Sequence, residues 1–328
     1  MLFTKEDKKV TEYNAPSINT EDIDYSLQIV EKIRRNINQA FTGKINVVDD
    51  VLTTLFSGGH VLLEDVPGVG KTLLAKSLAG SIDGTMSRIQ FTSDMLPSDI
   101  TGISILDGKE NEFIYYKGPI FNNIILADEI NRSGPKAQAA LLEVMEENQV
   151  SAEGVTYELP SLFFVIATQN PTDMAGTYPL PEAQKDRFMM QIQIGYPSLE
   201  GEIELLNDGH GTGIVNQLKP ACGISEVNKV KNIAARVYAG YNLRKYVVDL
   251  VTKTRQNKNI KLGGSPRSSI QVLRASKTRA LLQGREYVTP DDVKNVYTKI
   301  LQHRIILEDN ANYSTEELLH NIIAHYRQ

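Results

Sequence analysis

The densest chemical signal in the chain is Leu62-Leu-Glu-Asp-Val-Pro-Gly-Val-Gly-Lys-Thr72, a Gly-rich loop that follows an apolar run and opens a helical one. In such a loop Gly68 and Gly70 let backbone amides turn inward onto phosphate oxygens. The helix N-terminus adds partial positive charge. Lys71 reaches the terminal phosphates, and the Thr72 hydroxyl is placed to hold Mg²⁺. Asp65, Val66, Pro67, Gly68, Val69, Gly70, Lys71 and Thr72 are therefore the candidate nucleotide-binding set, with ATP and Mg²⁺ as cofactors. Asp65 stands where the pattern G-x-x-x-x-G-K-[ST] has its first glycine. Aspartate tolerates turn geometry better than most residues, so the loop is expected to close.

A second apolar run, Asn123-Ile-Ile-Leu-Ala-Asp-Glu-Ile-Asn, ends in two adjacent carboxylates. Beside a phosphate loop these divide the work. Asp128 coordinates the metal, mostly through water, and Glu129 polarises the attacking water as general base. A third run, Leu162-Phe-Phe-Val-Ile-Ala-Thr-Gln-Asn-Pro, carries Asn170 at its end. If this strand neighbours the Asp128 strand, an amide there orients water without competing for its proton; otherwise Asn170 is a turn residue before Pro171. Two arginines stand out. Arg187 follows a helical stretch and precedes an apolar strand, where it caps the helix end, or pairs with Asp186 or Glu182, or acts as an arginine finger in a neighbouring subunit. Arg267, in Gly264-Ser-Pro-Arg-Ser-Ser, projects from a first helical turn, where a cation opposes the helix dipole unless an anion is near.

The elements that must position these groups alternate between strand and helix. Strand-like runs fall at Gly59–Glu64, Met86–Phe91, Asn123–Ala127, Leu162–Ala167 and Phe188–Ile194, with helical patterns between them. That alternation predicts an α/β core with a five-stranded parallel sheet between helices. Two alternating stretches, Thr101 to Tyr116 around Asp107-Gly108 and Val150 to Leu159 around Glu153-Gly154, read as hairpins inserted into the core. Residues 1–20 are polar and aperiodic and read as an N-terminal arm, with the nucleotide-binding core over 21–200. Gly209, Gly211 and Gly213 mark 201–219 as a flexible connector, and 220–328 is a small helical domain. Within it Thr289-Pro-Asp-Asp predicts a capped helix start, and Ser314-Thr-Glu-Glu another.

Composition narrows the function classes. Across 328 residues, 41% are hydrophobic and 23% charged, an ordinary globular balance that supports two domains. The net charge of −5 disfavours nucleic acid as the main partner. No apolar run is long enough to span a bilayer, and the start lacks a signal-peptide core, so a cytoplasmic protein is expected. Cys222 is the single cysteine and reads as an apolar filler, while the five histidines show no zinc-ligand spacing. The absence of an Asn-Lys-x-Asp run argues against a GTPase; Asn228-Lys-Val-Lys lacks the acid.

Taken together, the order of these motifs resembles AAA+ ATPases, and the MoxR family most of all. Residues 62–72, Arg88 to Gly102, Ala127-Asp-Glu-Ile-Asn-Arg, Ala167-Thr-Gln-Asn-Pro and Leu180-Pro-Glu-Ala-Gln-Lys-Asp-Arg-Phe are similar to that family's motifs, including Asp in place of the first glycine. The likeness covers residues 40–200 strongly and the helical domain more weakly. It implies an AAA+ core with a C-terminal helical lid. It casts Lys71 and Thr72 as the Walker A pair, Asp128 and Glu129 as the Walker B pair, Asn170 as sensor 1, Arg187 as the finger in trans and Arg267 as sensor 2. The hairpins become the helix-2 and pre-sensor-1 insertions facing the central pore of a ring. It further implies an ATP-hydrolysing chaperone in hexamer-like rings that remodels or matures a client protein, often with a von Willebrand A domain partner. A nucleotide-dependent scaffold with little hydrolysis and a DNA-associated motor are the alternatives.

Overall fold

Turn-forming residues chop the first two thirds of the chain into short apolar strands, and in the computed structural model five of these pair as one parallel sheet. The structure describes residues 18–41, 44–66, 68–108, 112–170, 176–197, 199–206, 212–309 and 311–326. Most of the expected arm (1–17) and Pro67 of the phosphate loop lie outside these residues.

Asn19 starts helix α1 (Thr20–Ala40), its side chain accepting from the Asp22 amide at 2.7 Å. Ile29, Val30, Ile33 and Ile37 give α1 a buried stripe at helical spacing. Helix α2 (Ile45–Phe56) follows, then β1 (Val61–Glu64), α3 (Lys71–Ser81), β2 (Met86–Gln90) and α4 (Pro97–Thr101). The antiparallel hairpin β3 (Gly102–Asp107) and β4 (Glu112–Lys117) stands away from the sheet. After β5 (Ile124–Asp128) and α5 (Pro135–Glu147) comes a second hairpin, β6 (Gln149–Ala152) with β7 (Val155–Glu158). It turns through Glu153 at φ 49° and Gly154 at φ 76°, the paired positive angles of a tight hairpin turn. Strand β8 (Phe164–Gln169), the short helix α6 (Glu182–Lys185) and β9 (Met190–Ile192) complete the core.

The sheet order is β9-β1-β8-β5-β2. Strand side chains alternate between two apolar clusters: Leu63, Leu126 and Ile166 face one side, and Leu62, Ile125, Ala127 and Val165 the other. All of these are essentially inaccessible to water. Each such aliphatic side chain contributes roughly 1.5–3 kcal/mol by burial, so the strand tips rest on a stiff platform. His60 is part of it: its Nδ1 accepts from the Val165 amide at 3.0 Å, and burial pushes its pKa down to about 4, leaving it neutral.

Beyond Pro197 the segment expected to be a connector carries two short helices, α7 (Leu199–Leu205) and α8 (Thr212–Val215). The remainder is helical: α9 (Ile224–Arg236), α10 (Tyr241–Gln256), α11 (Pro266–Leu282), α12 (Pro290–Leu301) and α13 (Thr315–Ala324). One small antiparallel pair, Ile260–Leu262 with Ile306–Leu307, interrupts the helices. Capping follows the sequence pattern. The Asp292 carboxylate accepts from the Thr289 amide at 2.8 Å, and Glu317 does the same for Ser314 at 2.9 Å. The helical unit shares one apolar cluster with α1 and α2, tied at its rim by Lys299 to Asp50 at 2.6 Å. Cys222 sits in that cluster, where burial pushes its thiol up to about 12, so it stays protonated and inert. Among the described residues no helix is long and apolar enough to cross a membrane.

Candidate active site

A cleft of about 410 Å³ opens where the tips of β1, β5 and β8 meet the start of α3. Gly68, Gly70, Lys71, Thr72, Asp128, Glu129 and Asn170 line it, with Val215 and Asn216 from the end of α8. The structure thus brings together the phosphate loop, both carboxylates and the asparagine that sequence reasoning assigned separately. A larger cavity of about 1010 Å³ lies in the helical unit, walled in part by Tyr238, Tyr246, Tyr287 and Tyr326. Two of its cations are already paired, Arg236 with Asp22 and Lys245 with Asp249. The phosphate loop and the two carboxylates line the smaller cleft and not this cavity.

The loop has the geometry its glycines permit. Gly68 and Gly70 take φ of +88° and +93°, and at Gly70 an added Cβ would also press to 3.1 Å from the Phe41 ring. Lys71 and Thr72 are the first two residues of α3, so the unpaired amides of that helix end face the cleft. Lys71 Nζ donates to the Asp65 carbonyl at 2.6 Å. Burial lowers its pKa, while Asp65, Asp128 and Glu129 pull it back up. An ammonium held beside a ring of amides is what a triphosphate needs, and the donor set fits one.

Asp65 accounts for its own departure from the glycine pattern. It is absent from the residues with positive φ, so no glycine is required there. Its carboxylate is a three-way tether: Oδ1 accepts from the Val66 amide at 2.8 Å, and Oδ2 from the Ile194 and Gly195 amides at 2.8 and 2.6 Å. The loop is thereby pinned to the segment after β9. Substitution Asp65→Ala leaves those amides without their charged acceptor, each such bond being worth about 1.5–3 kcal/mol. It is expected to raise the nucleotide dissociation constant about tenfold, equivalent to about 1.4 kcal/mol. Asp65→Gly, which restores the consensus, should do no better. Nucleotide titration of both variants checks this; wild-type affinity in either would show the tether to be idle.

Asp128 and Glu129 are held differently. Asp128 Oδ1 accepts the Thr168 hydroxyl at 2.6 Å, and Oδ2 accepts Arg88 at 2.6 Å. With both oxygens engaged, Asp128 suits a metal reached through water. Glu129 adopts the left-handed region, φ 55° and ψ 49°, a conformation that costs a non-glycine residue about 1–3 kcal/mol. That turn swings it off the line of β5, and its amide donates to the Thr168 hydroxyl at 2.9 Å. Its carboxylate accepts Gln90 at 2.9 Å and pairs with Arg132 at 3.4 Å. Asn170 follows β8, and its carbonyl accepts from Asn131 at 3.3 Å.

The two arginines are elsewhere. Neither Arg187 nor Arg267 lines the cleft of its own chain. Arg187 donates to the Leu142 carbonyl at 2.8 Å and pairs with Glu146 Oε2 at 2.5 Å, rather than with Asp186 or Glu182. Arg267 binds the other oxygen of Glu146 at 3.1 Å and approaches Asp186 to 3.9 Å. The anion that its helix-end position demands is therefore a carboxylate of α5 and not a phosphate of the same subunit.

Sequence reasoning missed Arg88, Gln90, Thr168 and Glu146. Arg88 and Gln90 share a face of β2 by strand alternation, but only the pairing of Gln90 with Asp128 shows what that face meets. Glu146 is one acid among several on an exposed helix surface.

Known proteins resemble this chain in sequence and in fold. Residues 60–190 match the family model described as the ATPase family associated with various cellular activities (AAA), and 252–322 match an AAA lid domain. The chain is 45% identical over 285 residues to YeaC of Bacillus subtilis, covering 87% of this chain and 89% of that one. It is 40% identical over 309 residues to Chaperone MoxR1 of Mycobacterium tuberculosis, covering 91% and 81%. A crystal structure of a candidate ATPase from Cytophaga hutchinsonii superposes with a TM-score of 0.86 at 38% identity, over 94% of this chain and 97% of that one.

Proposed function

This chain belongs to the MoxR family of AAA+ ATPases, and from that premise we propose that it hydrolyses ATP in a ring of identical subunits and uses the cycle to remodel a client protein. One observation carries the reading: Lys71, Thr72, Asp128, Glu129 and Asn170, distant in sequence, line a single cleft at adjoining strand tips.

The α3 amides and Lys71 bind the β- and γ-phosphates of the substrate. The Thr72 hydroxyl and the Asp128 carboxylate would hold Mg²⁺, which would supply neutralising charge at the phosphate oxygens. Thr168 and Arg88 keep Asp128 oriented for that task. Glu129 takes the proton from the attacking water, while Gln90 holds its carboxylate in place and Asn170 orients the water. The further cation is supplied by the neighbouring subunit: Arg187 and Arg267 serve an adjacent copy's γ-phosphate, a reading supported by neither of them lining the cleft of its own chain.

In this reading residues 21–200 are the motor core, 220–328 the lid, and 201–219 the joint between them. Val215 and Asn216 lie on that joint and line the cleft, so phosphate loss is felt by the lid. The β3–β4 hairpin exposes Ile103, Ile105, Phe113 and Tyr116, an apolar surface suited to gripping a client in the pore. A von Willebrand A domain protein is the expected partner and the cytoplasm the expected compartment.

The test is turnover per subunit measured against protein concentration, with particle size followed with and without ATP. Specific activity should rise cooperatively as the particle grows. A flat response at monomer size would return Arg187 to a structural role, and ATP binding with no turnover at any concentration would favour the scaffold reading. Salt-sensitive stimulation by DNA would favour a nucleic-acid motor.

A further inference from the structure

Resting on the shared-site reading above, we propose that Glu146 is a positioning residue whose carboxylate clamps Arg187 and Arg267 into one two-guanidinium unit that is delivered intact to the nucleotide of a neighbouring copy of this chain.

Each oxygen of the Glu146 carboxylate takes one arginine, Arg187 at 2.5 Å and Arg267 at 3.1 Å. The two guanidiniums are therefore side by side although one comes from the core and the other from the lid. Without a shared anion, like charges at that separation repel. Glu146 itself is set on a firm base. It lies about three turns into α5, whose Ala137, Leu141, Val144 and Met145 are buried in the core. Arg187 is further fixed by its bond to the Leu142 carbonyl one turn back on the same helix.

The lid side is fixed from within. Arg304 is buried, its pKa pushed down to about 10 by burial, and it anchors Asp186 through Nε at 2.6 Å. It also donates to the Phe188, Met189 and Ile300 carbonyls and to Gln271. Asp186 in turn lies 3.9 Å from Arg267. Lid and core thus meet through a chain of charges, Arg304–Asp186–Arg267–Glu146–Arg187.

The charge count explains why this unit seeks an anion. Three guanidiniums face two carboxylates. Arg267 also stands in the first turn of α11, where the helix end repels a cation. The side chains of Arg187 and Arg267 keep 28% and 42% of their exposure, so the surplus positive charge is open to an incoming group. A γ-phosphate, with three oxygens, can serve both arginines at once where the carboxylate offers one oxygen to each. The clamp also makes the delivery depend on lid position, because the pair stays together only while α11 keeps Arg267 against Glu146.

Glu146→Gln keeps the shape and removes the charge. It is expected to lower kcat about tenfold, the loss of about 1.4 kcal/mol of transition-state stabilisation, with KM for ATP changed less than about twofold because the variant's own cleft is untouched. Glu146→Asp, one methylene shorter but charged, should recover most of kcat. The decisive readout is mixing. Glu146→Gln subunits have a sound cleft and a faulty arginine unit, while Lys71→Ala subunits have the reverse, so equimolar mixtures should regain turnover. An assembled Glu146→Gln protein with wild-type kcat, or one that Lys71→Ala subunits fail to rescue, overturns the proposal. If Glu146→Gln does not fold, Glu146→Ala, which also removes the shared anion, carries the same mixing test, and wild-type turnover in it or failure of Lys71→Ala subunits to rescue it overturns the proposal. Arg187→Ala separates the two levels. Normal turnover in Arg187→Ala sinks the shared-site reading itself, whereas loss and rescue in Arg187→Ala beside normal Glu146→Gln sinks the role of Glu146 alone.

Discussion

Arg187→Ala is expected to lower turnover of the assembled protein by about 10³-fold or more while ATP still binds, the range found when a transition-state arginine is removed. The size of the effect is what distinguishes the roles open to this residue. Its contacts within the subunit are one bond to the Leu142 carbonyl and one partly exposed ion pair with Glu146. Losing those costs about 1–2 kcal/mol of stability, and it does not touch the chemistry of the subunit's own cleft, which Arg187 does not line. A structural arginine therefore predicts a lower thermal midpoint with turnover nearly unchanged. An arginine that meets charge developing on a neighbour's phosphate predicts the opposite. Steady-state turnover at saturating ATP, nucleotide binding by titration and particle size should be measured on the same preparation. A loss of less than tenfold in a fully assembled particle would remove Arg187 from the reaction.

Glu129→Gln should abolish hydrolysis while sparing binding. A positioned general base contributes typically 10²–10⁴-fold, and the amide cannot take the proton. The substitution is close to isosteric and asks nothing new of the backbone, which already sits at φ 55°. Gln90 donates to the carboxylate at 2.9 Å and can donate equally to an amide oxygen, so the side chain keeps its place. The pairing with Arg132 at 3.4 Å is weakened, but it is partly exposed and worth little. ATP should therefore bind with unchanged affinity without turning over. Stopped product release measured in a single turnover, beside nucleotide titration, checks both halves. Turnover within threefold of wild type would dismiss Glu129 as the base, and loss of binding would mean that the variant has disturbed the cleft as a whole.

The motifs that were legible in the sequence are those whose chemistry and geometry are both local. Gly68, Gly70, Lys71 and Thr72 lie within five residues of the chain, and one strand–loop–helix unit carries them all. The five strands were readable for the same reason. Runs such as Ile124–Leu126 and Phe164–Ile166 are apolar at every position because both sheet faces are covered. The helix starts at Thr289 and Ser314 were likewise written in residues three apart.

What the sequence alone determined is the inventory of phosphate-gripping, carboxylate and amide groups, and the elements that carry them. What only the tertiary structure decided is which groups meet. The strand order seats β5 between β8 and β2, and so gives Asp128 a hydroxyl from Thr168 on one side and Arg88 on the other. Asp65 finds its function in amides at 194 and 195, and Arg187 and Arg267 find each other through Glu146. These pairings depend on how the sheet is ordered and how the lid closes on the core. Chain periodicity reports whether a side chain faces apolar surroundings or water, and it carries no information about which distant side chain waits there.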